Sequence, residues 1–249
     1  MMIYTPGYIP LHPRCGFCEL TVIRFPARHK VPNFTTFASL LRMTTKYGFT
    51  DVREQLIEDL RGAYPTEWED FKAAKVLGED VFGLPRPHPN AVLNLFLDQG
   101  VKFASPFAAY RAGLGGFVAL ISDKPGAVLP RLTLASIIHG MGVMRRTMTH
   151  VTHSIVYAKD LGVCAERACA LNTTEWRTEA LKKLFNVMAD RSEGDMLSSL
   201  SLGKLICLDC AKRLEKIHLS CRKKFVWAAL PGLLGWKSWG NVRLRDGHA

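Results

Sequence analysis

Residues 40–68 read LLRMTTKYGFTDVREQLIEDLRGAYPTEW, and this stretch decides the fold class. Its first half continues a stripe at helical spacing, which consists of Phe37, Leu40, Leu41, Thr44 and Tyr47. Asn33 can accept a hydrogen bond from the unpaired amides at a helix start, and Gly48 can adopt the left-handed conformation that ends a helix. The sequence therefore predicts an amphipathic helix between Asn33 and Gly48.

A second helix is predicted to begin at Thr50. Asp51 and Glu54 lie in its first turn, where the helix dipole favours negative charge. Its apolar face consists of Val52, Leu56, Ile57 and Leu60. Pro65 lacks an amide proton and disfavours helix at the residue before it, so the helix must end there. Two apolar stripes joined by a short break should pack as a helical hairpin.

A short third helix is predicted directly after Pro65. Thr66 and Glu69 fit the capping-box pattern, in which a threonine and a glutamate three residues later satisfy each other's backbone amides. The helix would continue through Trp68 and Phe71.

Helix-start signals recur further along the chain, whereas strand signals are sparse. Pro89 and Pro106 stand at first helical positions, where a missing amide proton costs nothing. Residues 132–157 have helical periodicity throughout, and Gly140 and Gly142 are predicted to split or kink that helix. Two-residue alternation is nearly absent. The predicted fold class is mainly α, an irregular multi-helix domain.

The chain divides by pattern into four segments. Residues 1–33 are proline-rich without a sustained period, so we expect an irregular segment, and disorder is one interpretation of it. The remaining segments are a helical unit at 34–74, a helical region at 88–160 and a basic, cysteine-containing helical region at 161–249.

Bulk composition is that of a globular protein, with 48% hydrophobic and 22% charged residues and a net charge of +11. From residue 140 onward, 18 basic residues stand against 10 acidic ones, so most of the excess lies in the C-terminal part. No apolar run reaches the roughly 18–20 residues of a membrane span, and no secretory signal is evident. We therefore expect an intracellular protein, cytoplasmic or nuclear, with reduced thiols and no membrane partner.

Four cysteines form the strongest candidate site, as Cys164-x4-Cys169 and Cys207-x2-Cys210. Two close thiolate pairs are what a tetrahedral zinc ion requires, so the spacing predicts a structural zinc site. The other interpretation is that these are ordinary thiols, which are common in reduced proteins. The sequence also offers substitute ligands, namely Cys221, His150, His153 and His218.

Patterns for reaction chemistry are missing from the sequence. Cys15 and Cys18 are spaced as a redox dithiol, but no strand-helix-strand context follows them. Residues 232–238, GLLGWKS, have tryptophan before the lysine, where a phosphate-binding loop needs glycine. We therefore predict no catalytic residues, no organic cofactor and no enzymatic activity.

A basic run follows the second cysteine pair and could bind nucleic acid. It contains Lys212, Arg213, Lys216, Arg222, Lys223 and Lys224. Phosphates could contact these cations while Trp227 stacks on a base. We favour the alternative, an amphipathic helix with solvated cations and with Leu214, Ile217, Phe225 and Trp227 in the core.

Several stretches together resemble fungal BTB (POZ) domain-containing proteins, in the helical region C-terminal to the BTB fold. The similar stretches are residues 40–65, HPNAVLNLF from residue 88, CAERAC from residue 164 and CLDCAKRLEKIHLSCRKKFVWAALPGLLGW at 207–236. The resemblance implies a protein-interaction role without enzymatic activity. It also implies a shared structural role for the four cysteines.

The resemblance begins near Phe34, and only 33 residues precede it. This is too few for a BTB fold, an α/β oligomerisation module, so we expect that fold to be missing and the apolar face of residues 34–74 to be exposed. The expected function is a non-enzymatic, adaptor-type protein-interaction module with an unknown protein partner. The alternative is a zinc-dependent nucleic-acid-binding regulator.

Overall fold

The computed structural model describes residues 33–157, Cys164, Met196 and residues 207–246. All of these belong to one unit of the chain, Val31–Ala249. The described residues fold mainly as helices, and none of them lies in a β-strand. The predicted fold class, mainly α, is confirmed.

The α-helices of the described residues are numbered in chain order. They are α1 Phe34–Tyr47, α2 Thr50–Arg61, α3 Trp68–Ala73, α4 Pro89–Asp98, α5 Ser105–Leu114, α6 Gly116–Leu120, α7 Arg131–Tyr157, α8 Leu208–Cys221 and α9 Trp239–Asp246. A 3-10 helix, Gly78–Phe82, lies between α3 and α4. A π-helical turn, Arg222–Val226, and a 3-10 helix, Trp227–Leu234, connect α8 to α9.

Helix α1 lies within the predicted bounds, and α2 begins at Thr50 as predicted but ends at Arg61, three residues before Tyr64. The Asn33 side chain accepts a hydrogen bond from the Thr36 amide at 3.1 Å. Gly48 has φ 70° and ψ 29°, the left-handed conformation in which a residue with a Cβ is strained. The two helices pack against each other and bury Leu41 and Leu60, as expected of a helical hairpin.

The capping-box prediction at the third helix is wrong. The residue that caps α3 is Glu67, in an extended conformation, and it makes no side-chain capping bond. Glu69 forms ion pairs with Lys72 and, at 3.6 Å, with Lys223. Its carboxylate is therefore paired along α3 and with the C-terminal part of the chain, not with the Thr66 amide.

Most of the apolar face of residues 34–74 is buried, which corrects the expectation that it would be exposed; Tyr47 at the end of the α1 stripe is 56% exposed. The Phe37 side chain is fully buried, and its ring centroid lies 5.3 Å from that of Phe82. The Trp68 ring meets the Trp227 ring edge-on at 5.8 Å. Residues that follow in this chain therefore supply the packing partners of this face.

Helix α7 runs unbroken from Arg131 to Tyr157, so the predicted split at Gly140 and Gly142 is wrong, while the alternative of a kink there stays a prediction. A Cβ on Gly140 would lie 2.5 Å from the Leu233 Cδ2 atom, whereas nothing lies within 4 Å of one on Gly142. Gly140 thus permits the 3-10 helix Trp227–Leu234 to approach α7 closely. The buried face of α7 consists of Ile137, Met141, Met144 and Met148.

A partly buried ion pair joins the 3-10 helix Gly78–Phe82 to α5. Arg111 on α5 donates two hydrogen bonds to the Glu79 carboxylate, at 3.0 and 2.8 Å. Burial raises the pKa of the nearby Tyr64 hydroxyl, and the negative charge of Glu79 adds to the effect. Since Gly78 has φ 62° and its α-carbon faces the Arg111 side chain, a residue with a Cβ would disturb the pair.

Side chains from three of the predicted segments share one hydrophobic core. Phe37, Phe96, Ile137 and Leu230 are all fully buried within it. The division at 74, 88 and 160 stays a prediction about sequence pattern. Among the described residues, no helix is both long enough and apolar enough to cross a membrane.

Candidate metal centre

Cys207 and Cys210 stand at the start of α8. Cys207 is the capping residue, with φ −63° and ψ 157°, and its carbonyl accepts the first helical hydrogen bond from Ala211 at 3.0 Å. Cys210 lies in the first helical turn and is buried. A side chain at the capping position turns back toward the third helical residue. The x2 spacing therefore brings both sulfurs to the same end of the helix.

Cys164 joins this pair from a distant part of the sequence. Its Sγ atom lies 3.5 Å from that of Cys207, and the sulfurs of Cys164, Cys207 and Cys210 all lie within 4.8 Å of one another. A disulfide needs about 2.05 Å between sulfurs, so the 3.5 Å separation shows that Cys164 and Cys207 are not disulfide-bonded. Zn–S bonds of about 2.3 Å in a tetrahedron place sulfurs about 3.8 Å apart. The three thiols are thus close enough to hold a metal ion.

The chemistry of this cluster suits a soft or borderline cation. Thiolates bind zinc, copper(I) and iron more readily than the hard ions magnesium and calcium. The positive end of the α8 dipole also stabilises the negative charge that bound thiolates bring. Three sulfurs leave one position of a tetrahedron for a further ligand.

Cys169, the fourth predicted ligand, lies outside the described residues, as do Cys15 and Cys18. His218 and Cys221 cannot substitute for it, because they follow Cys210 by eight and eleven residues in α8. A rise of 1.5 Å per residue places them about 12 and 16 Å along the helix axis.

The histidines of α7 do not join the cluster. His150 and His153 lie near the end of that helix, and the close group of ligand atoms among the described residues contains only cysteines.

The basic run after the cysteines is only partly available to a partner. Lys212, Arg213 and Lys216 are exposed on α8, whereas Arg222 is buried. Trp227 is also buried, stacked on Trp239 with ring centroids 5.0 Å apart. The proposed stacking of Trp227 on a base is therefore wrong, and the interpretation of that residue as core is confirmed.

Sequence reasoning missed the buried side chain of Asn90 on α4. It is 1% exposed, and its Nδ2 atom lies 3.1–3.2 Å from the carbonyl oxygens of Ala119, Leu120 and Ala127. Asn94, one turn later, donates to the carbonyls of Gly126 and Val128. Two asparagines four residues apart lie on one face of a helix, and this spacing is the sequence signal that could have indicated a loop hydrogen-bonded to α4.

His218, which the sequence offers as a substitute metal ligand, is instead a buried histidine of the core. Burial lowers the pKa of His218 to about 4, with a smaller contribution from the positive charge of Arg222. The sequence signal is its position four residues after Leu214 on the buried face of α8.

Comparison with protein-family models, with curated proteins and with solved structures found no match for this chain.

Proposed function

We propose that this chain is a non-enzymatic, adaptor-type protein-interaction module whose C-terminal part is closed by a structural zinc ion. The convergence of Cys164, Cys207 and Cys210 carries the proposal, because two of these sulfurs belong to residues 43 apart in sequence yet lie 3.5 Å apart. The resemblance to the region that follows the BTB fold supports the same role.

Zinc is the metal that this ligand set favours, with Cys169 as the fourth ligand. Four cysteines fill the tetrahedron and leave no position for water, which distinguishes a structural site from a catalytic one. The bound ion would join the start of α8 to the segment that contains Cys164. Since the ligands converge only in the folded chain, the free energy of metal binding adds to that of folding, and the ion would stabilise this part of the fold.

The best-connected buried polar groups elsewhere in the described residues serve the fold. Glu79 pairs with Arg111, and Asn90 holds backbone carbonyls. His218 is neutral at physiological pH because burial lowers its pKa. A catalytic site would use such groups against a substrate, so their use in folding supports a scaffold role.

Metal analysis of the purified full chain tests the zinc site. We expect about one equivalent of zinc, and a lower unfolding temperature after chelation. Cys207→Ser and Cys210→Ser should each lose the metal, whereas Cys221→Ser, a matched change on the same helix, should retain it. Less than about half an equivalent in the original chain, with stability indifferent to chelator, would contradict the proposal.

The interaction role is tested by affinity purification on the metal-loaded full chain. We expect a protein partner that the chelated chain and Cys207→Ser recover less well, because loss of the ion loosens the C-terminal part. Recovery of nucleic acid alone, sensitive to nuclease, would contradict this role.

The second candidate function is zinc-dependent nucleic-acid binding in a regulatory protein. The observation that favours it is the exposed cation group Lys212, Arg213 and Lys216, which follows the metal cluster directly on α8. Phosphate contacts release counterions, so affinity for duplex DNA or single-stranded RNA should fall steeply between 50 and 200 mM salt, by roughly tenfold or more for three contacts. Binding that stays flat over this range would exclude it.

A further inference from the structure

Exposed apolar side chains concentrate in one short part of the described chain. We name it the 117–132 surface, after the side chains of Phe117, Val118, Ile121, Val128 and Leu132. Val118 is 71% exposed and Leu132 is 85% exposed. Single exposed apolar residues are ordinary in proteins, but several together mark an interaction site.

Asn90 and Asn94 hold the backbone of this surface in one conformation. The carbonyl oxygens of Leu120 and Ala127 contact the same Asn90 nitrogen, so they lie no more than about 6 Å apart. Val118 and Ile121 flank the first carbonyl in sequence, and Val128 follows the second. The segments on either side of the loop are therefore neighbours along α4.

Fixing the loop does not require these apolar side chains. Leu120 is buried and supplies the apolar anchor, while the asparagines supply the hydrogen bonds. Polar residues at positions 118 and 121 would leave both intact. A fixed loop with outward apolar groups also loses little conformational freedom when a partner binds.

Basic residues outnumber acidic ones on this surface. Residues 116–132 contain Asp123 as their single acidic residue, against Lys124 and Arg131, and all three side chains are exposed. The whole of α7, which begins at the edge of the surface, contains no acidic residue. Two copies of this surface face to face would bring like charges together, which is unfavourable. A partner with acidic residues would be favoured.

We infer that the 117–132 surface binds a partner polypeptide that presents apolar side chains flanked by aspartate or glutamate. The apolar groups would cover Val118, Ile121 and Leu132, and the carboxylates would face Lys124 and Arg131. This inference rests on the proposed interaction function, for which it names the surface and the chemistry of the partner.

Selection from a random peptide library on the metal-loaded full chain tests the inference. Enriched peptides are then measured against the double variant Val118→Asp/Ile121→Asp. The control is Met43→Asp, which changes an exposed apolar residue of α1 outside this surface. We expect apolar peptides rich in acidic residues, bound at least about tenfold more weakly by the double variant and unchanged by the control. Their affinity should also fall with added salt.

Each other outcome overturns the inference. Peptides that the double variant binds as tightly as the original chain would place the interaction elsewhere, and the proposed function would stand without this surface. An empty selection would count against both. A dimer of the full chain in sedimentation equilibrium, lost in the double variant, would make a second copy the occupant. Nucleic acid that competes with the peptides for this surface would replace the polypeptide.

Discussion

The substitution Asn90→Ala should destabilise the protein by removing a single buried nitrogen. That nitrogen carries two protons, which it shares among three carbonyl oxygens at 3.1–3.2 Å. Each net hydrogen bond contributes about 1 kcal/mol, and a buried carbonyl without a donor costs about 1–3 kcal/mol. We expect the free energy of unfolding to fall by about 3 kcal/mol.

The neighbouring Asn94 provides a matched control on the same helix and the same loop. Its nitrogen donates to two carbonyls, at 2.9 and 2.8 Å, but these bonds are exposed to solvent. Water can replace them, so Asn94→Ala should cost less than about 1 kcal/mol. Asn90→Asp keeps the shape of the side chain but sets a charged acceptor against the carbonyl oxygens, and it should cost the most.

Urea unfolding followed by circular dichroism measures all three variants. With a slope near 2 kcal/mol per molar urea, Asn90→Ala should lower the midpoint by about 1.5 M and Asn94→Ala by less than about 0.5 M. Equal shifts of the urea midpoint for the two alanine variants would refute the reasoning, because they would show that burial of the asparagine nitrogen does not change its contribution to the free energy of unfolding.

Three further predictions concern stability. Burial lowers the pKa of His218 from 6.5 to about 4, so the folded state favours the neutral ring. The neutral ring therefore contributes its full stabilisation above pH 6.5, and the free energy of unfolding falls by about 3 kcal/mol as the pH drops toward 4. His218→Leu should remove most of that fall, as measured by urea titrations at several pH values. Arg111→Met leaves the buried Glu79 carboxylate unpaired and should lower the free energy of unfolding by about 3–5 kcal/mol, of which Glu79→Gln in the same chain restores part. Gly140→Ala should lower the thermal unfolding temperature, because forcing its methyl group against Leu233 costs about 1–3 kcal/mol. Gly142→Ala has open space around its methyl group and should raise that temperature, because alanine favours helix over glycine by about 1 kcal/mol.

Each of these has a contrary outcome. An unchanged acid slope in His218→Leu would assign the titration to other groups. If Glu79→Gln did not improve Arg111→Met, packing of the arginine stem would be the larger effect. Equal behaviour of the two glycine variants would show that Leu233 moves aside without cost.

Local signals were sufficient for much of the fold. Asn33, Gly48 and Pro89 act through their own backbones or their immediate neighbours, so their effects can be predicted from a single sequence. The spacing of Cys207 and Cys210 similarly predicts two sulfurs at one helix end. That Cys164 lies beside them is a fact of tertiary structure, which spacing alone could suggest but not establish.

The wrong predictions lie where other side chains, near or distant in the sequence, compete with the local pattern. Gly140 predicts a split when α7 is considered alone, but its missing side chain makes room for Leu233, 93 positions later. Glu69 fits a capping box, but Lys72 and Lys223 take its carboxylate. The less favoured interpretation of Trp227, stacking on a base, fails because Trp239 and Trp68 cover its ring, as the favoured core interpretation expects.

The tryptophan contact between α3 and the C-terminal part also constrains how the chain folds during its synthesis. The Trp68 and Phe71 rings lie 5.8 and 5.1 Å from the ring of Trp227, about 160 residues later. At about 5–20 residues per second, a ribosome needs on the order of ten seconds to translate that interval. Throughout that time the Trp68 and Phe71 rings of the nascent chain lack their contact with Trp227. A chaperone that binds short apolar segments would find its target there, and stalled translation products that end before residue 227 should be the most prone to aggregate.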